Sequence, residues 1–186
     1  MRLSENRTLA WIVAAVCIVG SVFGMSNLRV AGDRSKIVNV FYEGEDKSST
    51  SRHSMDRYLD TAGESAAVMA AEASMYLKNV QPTADEMAQL ADVVSESEDL
   101  AERYDAYQTL KKDADALYNA MYAAGITGEK YTNFKTAYDD FFGADKFILK
   151  DAYRSMASDF NKNLKGFPAN LITGIGGIDP LDTFGA

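Results

Sequence analysis

Hydrophobic patterning divides the chain into three regimes. Leu9 to Met25 (LAWIVAAVCIVGSVFGM) is an uncharged apolar run of 17 residues with basic side chains on both sides. At about 1.5 Å per residue it covers about 26 Å, and Ser26 to Leu28 complete the ~30 Å of a bilayer's hydrocarbon core. Ile37 to Tyr42 (IVNVFY) is short, apolar and β-branched, and Glu43 to Ser54 is polar and rich in turn formers. Together they read as a tether, a brief extended piece followed by a loop. From Met55 the period becomes helical.

Met55, Leu59, Ala62, Ala66, Met69, Ala73, Tyr76 and Val80 follow steps of four and three, the seam of a bundle helix. Asp56, Asp60, Glu64, Glu72 and Lys78 fall off that stripe, toward water. Pro82 ends the helix, and Thr83 to Glu86 (TADE) reads as a capping box for a second one. The second helix runs to about Ala124, with Met87, Leu90, Val94, Ala101, Tyr104, Leu110, Ala114, Leu117 and Met121 on its apolar face and Gly125 at its end. Ser95 and Ser97 interrupt that face, so a break there is expected. A third helix from Thr127 to about Lys165 carries an aromatic stripe, namely Tyr131, Phe134, Tyr138, Phe141, Phe147, Tyr153, Met156 and Phe160, with Gly143 as a candidate kink. Its rings are expected to pack on the small alanines of the first bundle helix.

The expected fold class is therefore all-α: an antiparallel bundle of three long helices plus a short C-terminal one, on an N-terminal transmembrane helix. The divisions are residues 1–36 for the anchor and its flanks, 37–51 for the tether, 52–175 for the bundle and 176–186 for an apolar tail. A cleaved signal segment competes with the anchor, since Val22 and Gly24 form a small-residue pair before Met25. The length of the run and bulky Phe23 favour an uncleaved anchor that meets the bilayer through Leu9 to Leu28. Trp11 suits the interface. Cys17 follows Val16 and sits in mid-run, which fits a buried thiol and not an acylation site. Arg2 and Arg7 on one side nearly balance Arg29, Arg34 and Lys36 on the other, so charge leaves orientation open. The habit of short signal-anchor proteins puts the domain outside the cytoplasm.

Charge narrows the partners. Residues 1–36 carry five basic and two acidic side chains, whereas residues 37–186 carry 14 basic and 25 acidic. A domain with that acidic excess is repelled by phosphate backbones, which argues against nucleic acid. Cys17 is the single cysteine, so no disulfide framework or thiolate metal site is available.

After Gly166 the chain reads FPANLITGIGGIDPLDTFGA. Pro168 suits the first turn of a short helix. Leu171, Ile172, Ile175, Ile178, Leu181 and Phe184 are too apolar to leave in water, and Gly174, Gly176 and Gly177 permit tight turns among them. Phe167, Pro168, Asn170, Leu171, Ile172, Ile175 and Phe184 are thus the candidate contact residues. They either close the bundle or meet the bilayer or an unknown envelope protein. The run from Tyr153 through Phe160-Asn161 to Phe167-Pro168-Ala169-Asn170-Leu171-Ile172, with its glycine-rich end, resembles the C-terminus of the LemA family of small bacterial proteins. That resemblance implies one N-terminal membrane segment and a long helical bundle, and no defined reaction. Arg154 stands where the family tends to have Asn after Tyr, and Ile175-Gly176-Gly177-Ile178 replaces its usual glycine with phenylalanines.

Catalytic chemistry finds little footing. His53, the single histidine, lies in a polar loop between Arg52 and Ser54, which removes Ser-His and Cys-His arrangements. Inward Glu-x-x-His pairs for a di-metal site do not occur. Glu96, Glu98, Asp99 and Glu102 read as a solvated face. Asn6-Arg7-Thr8 matches a glycosylation sequon by chance, hard against the membrane segment. The tail glycines follow a helix, unlike a phosphate cradle. No cofactor is expected. The enzyme alternative is a hydrolase using Asp139 or Asp140 beside Phe141-Phe142, where burial would raise a carboxyl pKa. The preferred reading is a membrane-anchored interaction or scaffold protein of the bacterial cell envelope.

Overall fold

The computed structural model describes residues 7–45, 54–166, 170, 174 and 176–185, and among these every regular element is helical. Asn6, His53, Phe167, Pro168, Leu171, Ile172 and Ile175, each singled out above, lie outside the described residues, as does most of the loop between Glu43 and Ser54. The helices are α1 (Arg7–Glu43), α2 (Met55–Tyr76), α3 (Gln81–Glu96), α4 (Leu100–Ala123), α5 (Glu129–Ile148) and α6 (Ala152–Lys165), with one 3-10 turn at Lys78–Val80.

The expected tether is not extended at Ile37 to Tyr42. α1 runs through it without interruption for 37 residues, about 56 Å, and stops where Gly44 takes a left-handed conformation and its N–H bonds back to the Val40 carbonyl at 2.9 Å. Helix wins over β-propensity here because it brings Ile37 and Phe41, four residues apart, onto one face. That face is buried in the core, Phe41 completely.

α2 is the hub, packed on α1, α3, α4 and α5. Its stripe is buried as the periodicity requires, with Met55, Leu59, Ala62, Ala66, Met69 and Ala73 all inaccessible. Ser54 caps it, its hydroxyl accepting from the Arg57 N–H. The approach of α3 is set by Gly63: a methyl added there would come 3.0 Å from the Ala91 carbonyl oxygen and closer still to the Ser95 hydroxyl. α2 to α5 alternate in direction, as contacts between opposite ends show. Tyr58 stacks on Phe147 at 4.8 Å, while Asn133 donates to Glu72 at 3.0 Å.

Helix boundaries depart from the sequence reading in three places. α2 ends at Tyr76, well before Pro82, and Val80 lies in the 3-10 turn that follows. The TADE box does not cap: α3 begins earlier, at Gln81 with Pro82 in its first turn, so Thr83 is already interior. The break near Ser97 occurs as expected, and its agent is Asp99, whose carboxylate accepts from the Ala101 and Glu102 N–H groups. The third helix does not kink at Gly143, which lies inside α5. It divides at Leu149–Asp151, where Asp151 caps α6 through the Tyr153 N–H at 2.8 Å. That division redirects α6 onto α1, where the Tyr153 ring meets Phe41 rather than the α2 seam that the sequence reading assigned to this stripe. Phe134 and Phe141 are fully buried on α5, which faces α2, whereas Phe147 is 56% exposed and Ile148 takes the core position.

Phe41→Ala is expected to destabilise the domain by about 3–5 kcal/mol, read as a shift of the urea midpoint. A side chain on a flexible tether would leave the midpoint unchanged.

Candidate functional site

The chemically distinctive region is the junction where the end of α1, the start of α4, α6 and the tail meet. Arg103 lies at its centre, 2% exposed. Its Nε donates to the Val94 carbonyl at 2.6 Å and its Nη1 to Asp56 at 2.8 Å, while Nη2 stands 3.9 Å from Asp60, an ion pair too long for a hydrogen bond. The guanidinium also sits 5.5 Å from the Phe41 ring centroid. Asp56 and Asp60, which fall outside the apolar stripe, are thus the partners of a buried cation. Burial and the neighbouring Asp56 charge hold the Asp60 pKa above the ordinary carboxylate range, against the pull of Arg103.

One turn along α4, Tyr107 donates its hydroxyl to Asp145, which also accepts from Lys111 at 2.7 Å. Tyr107 and Asp145 are both buried. The arrangement ties α4 to α5 with each polar group answered, which is a structural role. Asp139 and Asp140, offered above as hydrolytic carboxylates, are both exposed, and Asp139 pairs with Lys135. The burial that reading needs is absent at both. Among the described residues no cluster of three His, Cys, Asp or Glu side chains forms a metal site. In the acidic segment after α3, Asp99 caps α4 and Glu102 accepts from the Ser97 hydroxyl at 2.6 Å.

The tail completes the junction. Phe184 is 1% exposed, its ring 5.2 Å from Tyr104, 6.2 Å from Tyr107 and 6.5 Å from Phe41. Leu181 is buried too. Asn161 clasps the tail backbone at two points, its Nδ2 donating to the Leu181 carbonyl at 2.7 Å and its Oδ1 accepting from the Leu181 N–H at 2.8 Å. The Tyr153 hydroxyl donates to the Asp182 carbonyl at 2.6 Å, and Arg154 to the Gly185 carbonyl at 3.0 Å. Phe184 holds a left-handed backbone at φ 47°, a conformation that bulky side chains rarely adopt, and Gly185 follows at φ 75° against the Tyr104 ring. The strain persists because burial of the ring fixes it.

No family model, curated protein or solved structure matches the chain. Two of the residues that carry the resemblance noted above nonetheless have definite partners, since Tyr153 and Asn161 hold the tail. Of the candidate contact residues, Phe184 is locked in the core, while Asn170 is helical and exposed, its N–H donating to the Gly166 carbonyl. The sequence reading missed Arg103 and named Asn161 only within the resemblance, without a partner, because a polar residue that packs inward announces itself only through its partners.

Two outcomes follow from this geometry. Phe184→Ala should lower stability by about 3–5 kcal/mol in equilibrium unfolding, an effect that a tail reserved for an external partner would not produce. Burial raises the pKa of Tyr107 and Tyr153 above the ordinary 10, and burial with a bond to Asp115 pushes Tyr138 up to about 12. The fold favours the protonated phenols, so their contribution is complete below pH 10 and is lost as pH rises through the folded-state values. Absorbance titration should therefore show these tyrosines ionising together with unfolding above pH 10, and Tyr153→Phe should reduce that alkaline dependence. Independent ionisation near 10 with the helices intact would contradict it.

Proposed function

We propose that this protein is a membrane-anchored helical interaction or scaffold module of the bacterial cell envelope, similar to the LemA family, with its bundle on the extracytoplasmic side and a binding role rather than a catalytic one. One observation carries the reading. α1 is long and apolar enough to cross a membrane, and its apolar half lies uncovered by the rest of the chain, with Trp11, Val16, Ile18, Val22, Met25 and Leu28 all exposed. So much apolar surface on one helix is better accommodated by an apolar surrounding than by water, which supports the anchor reading. The opposite end of the same helix is core.

The tail enters this reading as the closure of the bundle, since Leu181 and Phe184 are occupied within the chain. A partner would instead meet the outer faces of the bundle, where Val68 and Met75 on α2 and Tyr122 on α4 are exposed. Asp139 and Asp140 are exposed, so the hydrolase alternative lacks the buried carboxylate from which it was argued.

Carbonate extraction of membranes should leave the full chain in the pellet and release a version lacking residues 7–28. Protease added to intact cells should reach the bundle. Release of the full chain by carbonate would end the anchor reading, and protection until the membrane is opened would place the bundle on the other side.

A further inference from the structure

Beyond the anchor, and resting on it, we infer that the bundle end nearest the membrane carries a basic collar that binds anionic lipid headgroups. Height along the bundle decides which side chains meet the headgroups. Phe41 near the end of α1 meets Tyr153 at the start of α6, ring centroids 5.0 Å apart. α6 then runs back toward the membrane segment, because the tail that leaves its far end packs Gly176 against Asn27 of α1. Tyr153 to Lys165 is 12 residues, about 18 Å, and the same length down α1 from Phe41 arrives at Arg29. Lys165 therefore stands level with Arg29, the first charged residue after the apolar run, although 136 positions separate them in the chain.

Arg29 and Lys165 share this level and are both exposed, and Arg34 lies five residues, about 7.5 Å, further along α1. Arg34 is steadied by donating to the Asp179 carbonyl at 3.3 Å. Between Arg34 and Lys165 runs the tail backbone at Gly177 to Asp179, bordered by a cleft of about 370 Å³ on the Arg34 side and one of about 410 Å³ on the Lys165 side. Asp33, about one turn after Arg29, pairs with Lys36 at 3.2 Å, and Asp159 pairs with Lys162 at 3.3 Å, so these acidic groups are engaged, while the Asp179 backbone carbonyl accepts from Arg34.

The rest of the surface has the opposite sign. Residues 55–148, the α2 to α5 unit, hold 18 acidic and 8 basic side chains. A positive end on an acidic domain, at the height of the headgroups, is complementary to phosphodiester lipids, and each basic side chain at such a surface is worth about a factor of five in local enrichment. The attraction reaches about one Debye length, which confines it to this end.

The full chain is reconstituted in phosphatidylcholine vesicles with and without phosphatidylglycerol, floated, extracted in mild detergent, and its retained lipids are weighed by native mass spectrometry. Phosphatidylglycerol should be retained several-fold above its bulk share, less so at high salt. R29E/K165E should remove the preference, R29Q/K165Q should diminish it if the first variant does not fold, and K78E/K112E on the bundle should leave it unchanged. A chain that floats with both vesicles but retains the two lipids in bulk proportion, or a preference that survives both collar variants, overturns the collar and leaves the anchor standing. A chain that floats with neither overturns the anchor and the collar together.

Discussion

Everything at the junction depends on where the Phe41 ring lies. It is the last large side chain of α1 to enter the core, it is fully buried, and it meets the Arg103 guanidinium, the Tyr153 ring and the Phe184 ring, which come from three other parts of the chain. A helix whose first half is apolar and uncovered and whose final turns belong to the core cannot swing independently of the domain. The chain has replaced a tether with a rod. Gly20, Gly24 and Gly32 along it have open space around them and do not interrupt the helix.

Arg103 makes this joint specific as well as stable. Taking a guanidinium out of water is costly unless its donors are answered, and here a carbonyl from α3 accepts from Nε and Asp56 of α2 accepts from Nη1, while Nη2 has only the longer ion pair with Asp60. The geometry requires α2, α3 and α4 to be in register before Phe41 finds its place on the cation. The tail adds its Phe184 ring, centroid 6.5 Å from that of Phe41. Its left-handed Phe184 would be unfavourable in a free peptide and is held because Asn161, Tyr153 and Arg154 bind the backbone on either side of it.

The helical class, the apolar run, the α2 stripe and the break near Ser97 were legible because each is a local signal: periodicity, length or a capping residue. The helix through Ile37 to Tyr42 was not, since β-branched residues favour strands only until a neighbouring surface rewards one helical face. The break at Asp151 escaped notice because Gly143 is the stronger breaker by composition, while Asp151 acts through a side-chain cap. α6 consequently turns to α1, and the partner assigned to Tyr153 changes with it. At the candidate site, the apolar character of Leu181 and Phe184 marked the tail as something to be buried, but not against what. Asn161 and Arg103 are identified only by groups 20 and 47 positions away.

A rigid rod has an electrostatic consequence that a tether lacks. On a flexible linker the domain would tumble, and an anionic bilayer would see the average of its charge, which is strongly negative. On a continuous helix anchored as we propose, one end of the domain would face the bilayer permanently, so the local charge at that end would matter and the average would not. The same helix that carries Phe41 into the core carries Arg29 and Arg34 at its exit from the apolar run, and α6 returns Lys165 to the level of Arg29. Orientation, more than affinity, is what the uninterrupted α1 would provide to the anchored protein we propose, and a partner of the outer bundle faces would then be met at a fixed height and angle above the membrane.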